Sequence, residues 1–182
     1  MKKLTALVLV AITVLLAAAC GILSGDKDGL QPGDTVVPPQ PEGETVELTL
    51  YFANNEYVMT GNESLEKLLP EKRTITLANK PLAQAAVEEL MEGPEGEGMG
   101  VVIPPRIKLI DVEVAEQIAY VNFSSDGMNG GSMEETFLIS SVIMTLTQLE
   151  NIDAVQFLVD GKKTETLMGH IYTMDPMGSY EF

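Results

Sequence analysis

Between residues 117 and 161 the spacing of hydrophobic and polar positions changes period twice. Over 118–123, Ile118 and Tyr120 alternate with Ala119, Val121 and Phe123, the two-residue period of a strand, and Asn122 is the less regular member. Gly127, Gly130 and Gly131 then mark a turn. Leu138, Val142, Leu146 and Leu149 follow at spacings of four, four and three, and Phe137, Ile139 and Ile143 widen the stripe. This predicts a long helix covered on more than one side. Ser132, with Glu135 three residues on, predicts a capping box, and Glu134 and Glu135 sit where the positive end of the helix dipole favours acids. The apolar run 154–159 reads as a central strand closed by a turn at Asp160-Gly161.

Upstream, Val46, Leu48 and Leu50 alternate with Glu47 and Thr49, so 46–53 is expected to be a strand with one buried face. Asn54-Asn55-Glu56 is expected as a turn and 57–59 as a short added strand. Residues 62–70 fit either one helical turn or a loop pinned by leucines, and 71–77 alternates again as a second strand. Pro81 suits the first position of a helix that carries Leu82, Ala86 and Leu90 on one face and stops at Gly93-Pro94. An acidic, glycine-bearing loop over 95–100 precedes a strand at 107–114, and Ala115-Glu116 is expected to turn it into an antiparallel hairpin with 117–123. The helical crossover allows 154–159 to pair in parallel. Thr145, inside the apolar helix, is expected to bond to the carbonyl one turn back. The predicted fold is α+β, with two helices packed on one face of a small mixed, mostly antiparallel sheet.

The ends of the chain follow other patterns. Residues 1–19 combine a basic start, Lys2-Lys3, with an apolar run over 4–16, shorter than the roughly 20 residues of a spanning helix. Ala17-Ala18-Ala19 then precedes Cys20, the only cysteine, and the pattern resembles the lipobox of bacterial lipoproteins, with Ala17 where leucine is usual. That resemblance implies cleavage before Cys20 and acylation (palmitate) of its sulfur. Residues 20–45 are rich in Gly, Pro, Asp and Glu and read as a disordered tether, spanning on the order of 25–30 Å. Residues 46–172 form the expected domain and 173–182 a loose tail.

Six pieces, in order, carry a wider resemblance. They are Leu50-Tyr51-Phe52, the helix end Leu90-Met91-Glu92-Gly93-Pro94, the Ile103-Pro104 step, Val121-Asn122-Phe123-Ser124, Met144-Thr145-Leu146-Thr147, and the run from Val155 to Val159-Asp160-Gly161. Over about 46–165 the chain resembles the GerMN domain of the sporulation and spore-germination lipoproteins. The resemblance implies a small α+β fold similar to ring-building motifs, present here in one copy, and a link to sporulation or germination.

Charge and chemistry narrow the function. The net charge is −16, and loss of Lys2 and Lys3 with the leader would make it more negative. Such a surface repels nucleic-acid phosphates and anionic headgroups, so no nucleic-acid partner is expected. Ser124, Ser125 and Asp126 follow a strand, yet the single histidine, His170, is far along the chain and no Gly-x-Ser-x-Gly elbow is present. One histidine and one cysteine do not make a usual zinc site. Asp126, Glu134 and Glu135 could together hold Ca²⁺, but helix capping accounts for both glutamates. No catalytic residue, cofactor or metal is therefore expected. Met128 and Met133 flank the glycine turn as candidate partner-facing residues. The expected function is a lipid-anchored, non-catalytic lipoprotein on the outer face of the cytoplasmic membrane of a Gram-positive cell, binding an envelope protein through a sheet edge or helix face. The alternative is a module that binds peptidoglycan or a small ligand at the cell surface.

Overall fold

Alternation along β1 (Thr45–Asn54) sends Leu48, Leu50 and Phe52 into the core, as the pattern predicts. The computed structural model describes residues 43–178, so the leader, Cys20, most of the tether and the end of the tail lie outside the described residues. The expected strand at 57–59 is instead part of a short helix, α1 (Asn55–Thr60). Its two ends decide this. The Asn54 side chain accepts hydrogen bonds from Glu56 N at 3.0 Å and Tyr57 N at 3.5 Å. At the other end Gly61 takes a left-handed φ of 64° and donates its N–H to Tyr57 O.

β2 (Leu68–Thr76) begins earlier than the alternation suggested and runs antiparallel to β1, from Leu68 opposite Ala53 to Thr76 opposite Thr45. α2 (Leu82–Glu92) starts one residue after Pro81 and ends at Gly93. Arg73 of β2 closes that end. Its guanidinium donates to Glu89 O at 3.3 Å, to Glu89 Oε2 at 2.9 Å, to Gly93 O at 2.9 Å and to the Glu71 carboxylate. A cation thus meets the carbonyls at the negative end of the helix. Glu71 Oε2 in turn accepts from Glu95 N at 2.9 Å and Gly96 N at 2.7 Å, which ties down the acidic loop. The loop leads to β3 (Met99–Gly100), paired with the end of β1.

β4 (Leu109–Ala115) and β5 (Ile118–Phe123) form the expected hairpin. Its turn lies one residue further on, at Glu116 and Gln117, whose φ values of 51° and 64° are those of a type I′ turn. α3 (Ser132–Leu146) crosses over to β6 (Ala154–Val159), which pairs in parallel with β5, and β7 (Lys162–Lys163) adds two residues at the edge. Asn122, the polar interruption, has a role here: its Oδ1 accepts from Gly161 N at 2.8 Å and fixes the turn after β6.

The α+β class holds. The strands, however, divide between two sheets, β2-β1-β3 and β4-β5-β6-β7, and α1 is a third helix. The free edge of β1 explains the split, because α3 occupies it in place of a strand. Tyr51 N donates to Thr145 Oγ1 at 3.3 Å, Ser141 Oγ donates to Tyr51 O at 2.6 Å, and the Gln148 amide donates to Thr49 O. Ser141, Thr145 and Gln148 are spaced four and three apart, so they form one polar stripe on the helix. They satisfy edge groups that a further strand would otherwise take. Thr145 therefore does not bond one turn back as expected; Thr147 does, to Ile143 O at 2.8 Å. Tyr51 faces Pro70 across the β1–β2 ladder, at a pair whose Tyr51 backbone groups point to α3, so the missing proline N–H costs that ladder nothing.

α2 packs against α3, β1 and β4, while α3 packs against β1 and β6, so the two long helices join both sheets into one core. Residues 173–178, expected to be loose, are held at the β6 edge. Val155 and Met177 exchange backbone bonds of 2.9 and 2.8 Å, and the Gln156 amide donates to Thr173 O at 2.9 Å. No helix among the described residues is long and apolar enough to cross a membrane.

Candidate functional site

The start of α3 is built differently from the expected capping box. The residue at the cap is Gly131, no side chain caps the helix, and Ser132 is already helical. Glu135 is fully buried and turns inward. Its Oε1 accepts from Leu167 N at 2.9 Å and Met168 N at 2.8 Å, and its Oε2 accepts from His170 N at 2.8 Å. One carboxylate thus clamps the 167–170 segment onto the helix. The sequence held one signal of this: Glu135 lies three, four and seven residues before Leu138, Ile139 and Val142, on the apolar side of the helix.

Glu134 faces the other way and pairs with Arg106, Nη2 to Oε2, at 2.6 Å. That bond holds the Arg106 guanidinium above its ordinary titration range. Arg106 also donates to Asn129 O, from Nε at 3.2 Å and from Nη2. His170 Nε2 lies 3.3 Å from Gly130 O. A Cβ at position 130 would strike the Glu134 carboxylate and come within 2.8 Å of Met168 Sδ, so a side chain there would have to push both side chains aside.

Beside this network an open cleft of about 620 Å³ runs between α1, the 100–106 segment and the first turn of α3. Val58, Val101, Val102, Pro104, Met133 and Phe137 make its apolar lining, and Arg106 and Glu134 its charged wall. Phe137 is backed by Tyr57, edge to face at 6.3 Å between centroids. Val101 and Met133 are 52% and 51% exposed, and Met59 on α1 is 78% exposed. Of the two methionines singled out in the sequence, Met133 lines the cleft, whereas Met128 is half-buried against the core. Arg106 and Glu134, the charged residues of the lining, neutralise each other, while every lysine and arginine between Lys67 and Lys108 is ion-paired and the chain as a whole carries a net charge of −16. Val58 falls in the short strand expected at 57–59 and the Ile103-Pro104 step carries only the resemblance; no periodic signal brings them or Val101 together as a site.

The candidate catalytic and metal residues are kept apart. Ser124 Oγ accepts from Asp126 N at 3.2 Å, Ser125 N donates to Asp160 Oδ1 at 3.1 Å, and Asp126 pairs with Lys108. Hydrogen bonds from Ser125 hold the Asp160 carboxyl below its ordinary range. Among the described residues no hydrogen bond joins either serine to His170. Asp126, Glu134 and Glu135 each face a different partner, and no group of three His, Cys, Asp or Glu among the described residues could hold a metal ion.

Comparison with known proteins agrees with this architecture. The model of the Germane family, described as sporulation and spore germination, matches residues 49–165. Among solved structures, the first GerMN domain of the sporulation protein GerM from Bacillus subtilis is similar, with a TM-score of 0.59 and 20% identity, over 74% of this chain and 97% of that one. The tandem GerMN domains of the same protein align with a TM-score of 0.58 and 21% identity, over 81% of this chain and 49% of theirs, so this chain spans about half of the tandem pair. A protein described as a lipoprotein from Clostridium perfringens aligns with a TM-score of 0.50 and 24% identity, over 79% of this chain and 93% of that one. No curated protein matches the chain.

Proposed function

We propose, from the premise that the chain belongs to the Germane family of sporulation and spore germination, that it is a lipid-anchored, non-catalytic module that docks an envelope protein in its apolar cleft. The cleft is the observation that carries this reading. It exposes Val101, Met133 and Val58 around one ion pair, a lining suited to aliphatic side chains and poor in the convergent polar groups a sugar would need. The net charge of −16 on the chain favours a partner of opposite charge. The occupant is therefore a protein segment that carries apolar side chains between basic ones. The leader over 1–19 and the lipobox-like cysteine, Cys20, support anchorage on the outer face of the cytoplasmic membrane, with residues 20–45 as the tether.

A synthetic peptide alternating leucine and lysine tests the chemistry of the cleft, with a leucine–glutamate peptide as control. Fluorescence anisotropy is expected to show binding of the basic peptide only. Val101→Ser with Met133→Ser should weaken it by roughly tenfold or more, because two exposed apolar contacts are lost while folding is untouched. Equal binding of both peptides, or an unaffected double variant, would remove the cleft from the account.

A further inference from the structure

We propose that Asn129 is a site of spontaneous deamidation, promoted by the Arg106 guanidinium that rests on its backbone carbonyl. Asn129-Gly130 is the one Asn-Gly pair in the chain. Deamidation starts when the Gly130 N–H loses its proton and the nitrogen attacks Cγ of the Asn129 side chain. The bond from Cγ to the side-chain nitrogen breaks, ammonia leaves, and a succinimide remains. Water then opens the ring at either carbonyl, giving aspartate or isoaspartate. One water is consumed, one ammonia is released, and nothing is oxidised or reduced.

Three features of the turn favour this sequence. Gly130 has no side chain to shield its nitrogen. Asn129 is exposed, and among the described residues neither its side-chain amide nor the Gly130 N–H makes a hydrogen bond. Asn54 and Asn122, by contrast, are buried with their amides engaged by Glu66 O and the Asp111 carboxylate. The third feature is electrostatic. When Gly130 N is deprotonated the negative charge is shared with Asn129 O, and that oxygen receives two donors from Arg106. A fixed cationic donor on a developing oxyanion lowers the cost of forming it.

Either product places a new carboxylate next to Arg106, where it competes with Glu134 for the guanidinium. Isoaspartate also lengthens the backbone by one methylene just before α3. The charged wall of the cleft would then change with the age of the molecule. This inference stands whatever the cleft binds.

Incubation of the folded full-length chain in mildly alkaline buffer, followed by peptide mass mapping and isoaspartyl methyltransferase labelling, tests it. Conversion is expected at Asn129 ahead of every other asparagine. Arg106→Ala should slow it on the order of tenfold, the worth of one charge-assisted hydrogen bond. Simple loosening of the turn would have the opposite sign and speed it up. Glu134→Gln, which leaves the guanidinium less neutralised, should accelerate conversion and gives an independent reading if Arg106→Ala does not fold. No conversion at Asn129, an Arg106→Ala rate equal to or above wild type, or an unchanged or slower Glu134→Gln rate would overturn the proposal.

Discussion

Glu135→Ala is expected to lower stability by about 3–5 kcal/mol, roughly 10 °C in Tm. The carboxylate is fully buried and accepts three backbone N–H groups, from Leu167, Met168 and His170. Alanine strips all three of a charged acceptor and leaves a polar hole against Leu167, itself in the core. Bonds to a charged group are each worth about 1.5–3 kcal/mol, and part of the loss is recovered where His170 reaches water. Glu135→Gln keeps one acceptor oxygen but turns an amide N–H₂ toward the remaining donor, so it should lie between alanine and wild type. Urea denaturation measures both variants. Hydrogen exchange should show the amides of 167, 168 and 170 losing protection first, while β1 keeps it. A Glu135→Ala variant within about 1 kcal/mol of wild type would mean that the 167–170 segment is held by something else.

The second large effect is at Arg73, whose side chain is 9% exposed. It ties the Glu71 and Glu89 carboxylates to the end of α2 and lies 5.7 Å from the centroid of Phe52, a core ring. Arg73→Ala strands two carboxylates and the Gly93 carbonyl, and is expected to cost about 3–5 kcal/mol, as removal of one partner from a buried pair does. The site also has a pH signature. Burial pushes the Glu71 carboxyl up, but the Gly96 amide, the Arg73 guanidinium and the Glu95 amide outweigh it and hold the group below its ordinary value of 4.5. The folded state therefore binds this proton more weakly than the unfolded state. Its contribution is complete above 4.5 and is lost as pH falls through the lower folded value. Denaturation midpoints taken from neutral pH down to about pH 3 should fall, and the fall should be shallower in Arg73→Ala. Parallel curves for the two proteins would contradict the role given to this cluster.

Local periodicity carried much of the architecture. Leu48, Leu50 and Phe52 point inward as their alternation says, and the crossover from Phe123 through α3 returns as the parallel strand Ala154–Val159. What escaped was decided by partners distant in sequence or by caps. Tyr57, Val58 and Met59 have the composition of a strand, yet Asn54 and Gly61 close a helical turn around them. The division into two sheets depends on Ser141, Thr145 and Gln148 reaching a strand about 90 residues away, and nothing near them in sequence shows that edge. Glu135 followed the rule for a capping box until three amides from 167–170 offered it a better-satisfied buried position. The cleft was half legible. Met133 stood out beside the glycine turn, but its facing wall, Val58 and Val101, is assembled by the β1–β3 pairing.

Photo-cross-linking in living cells tests the central claim most directly, with one probe at Val101 in the cleft and a control at Lys163 on β7. The account predicts an adduct from the Val101 probe alone, mapping by mass spectrometry to an envelope-protein segment in which apolar residues alternate with lysine or arginine, and lost when Met133→Ser is added. Adducts to glycan, or equal labelling from both probes, would contradict it.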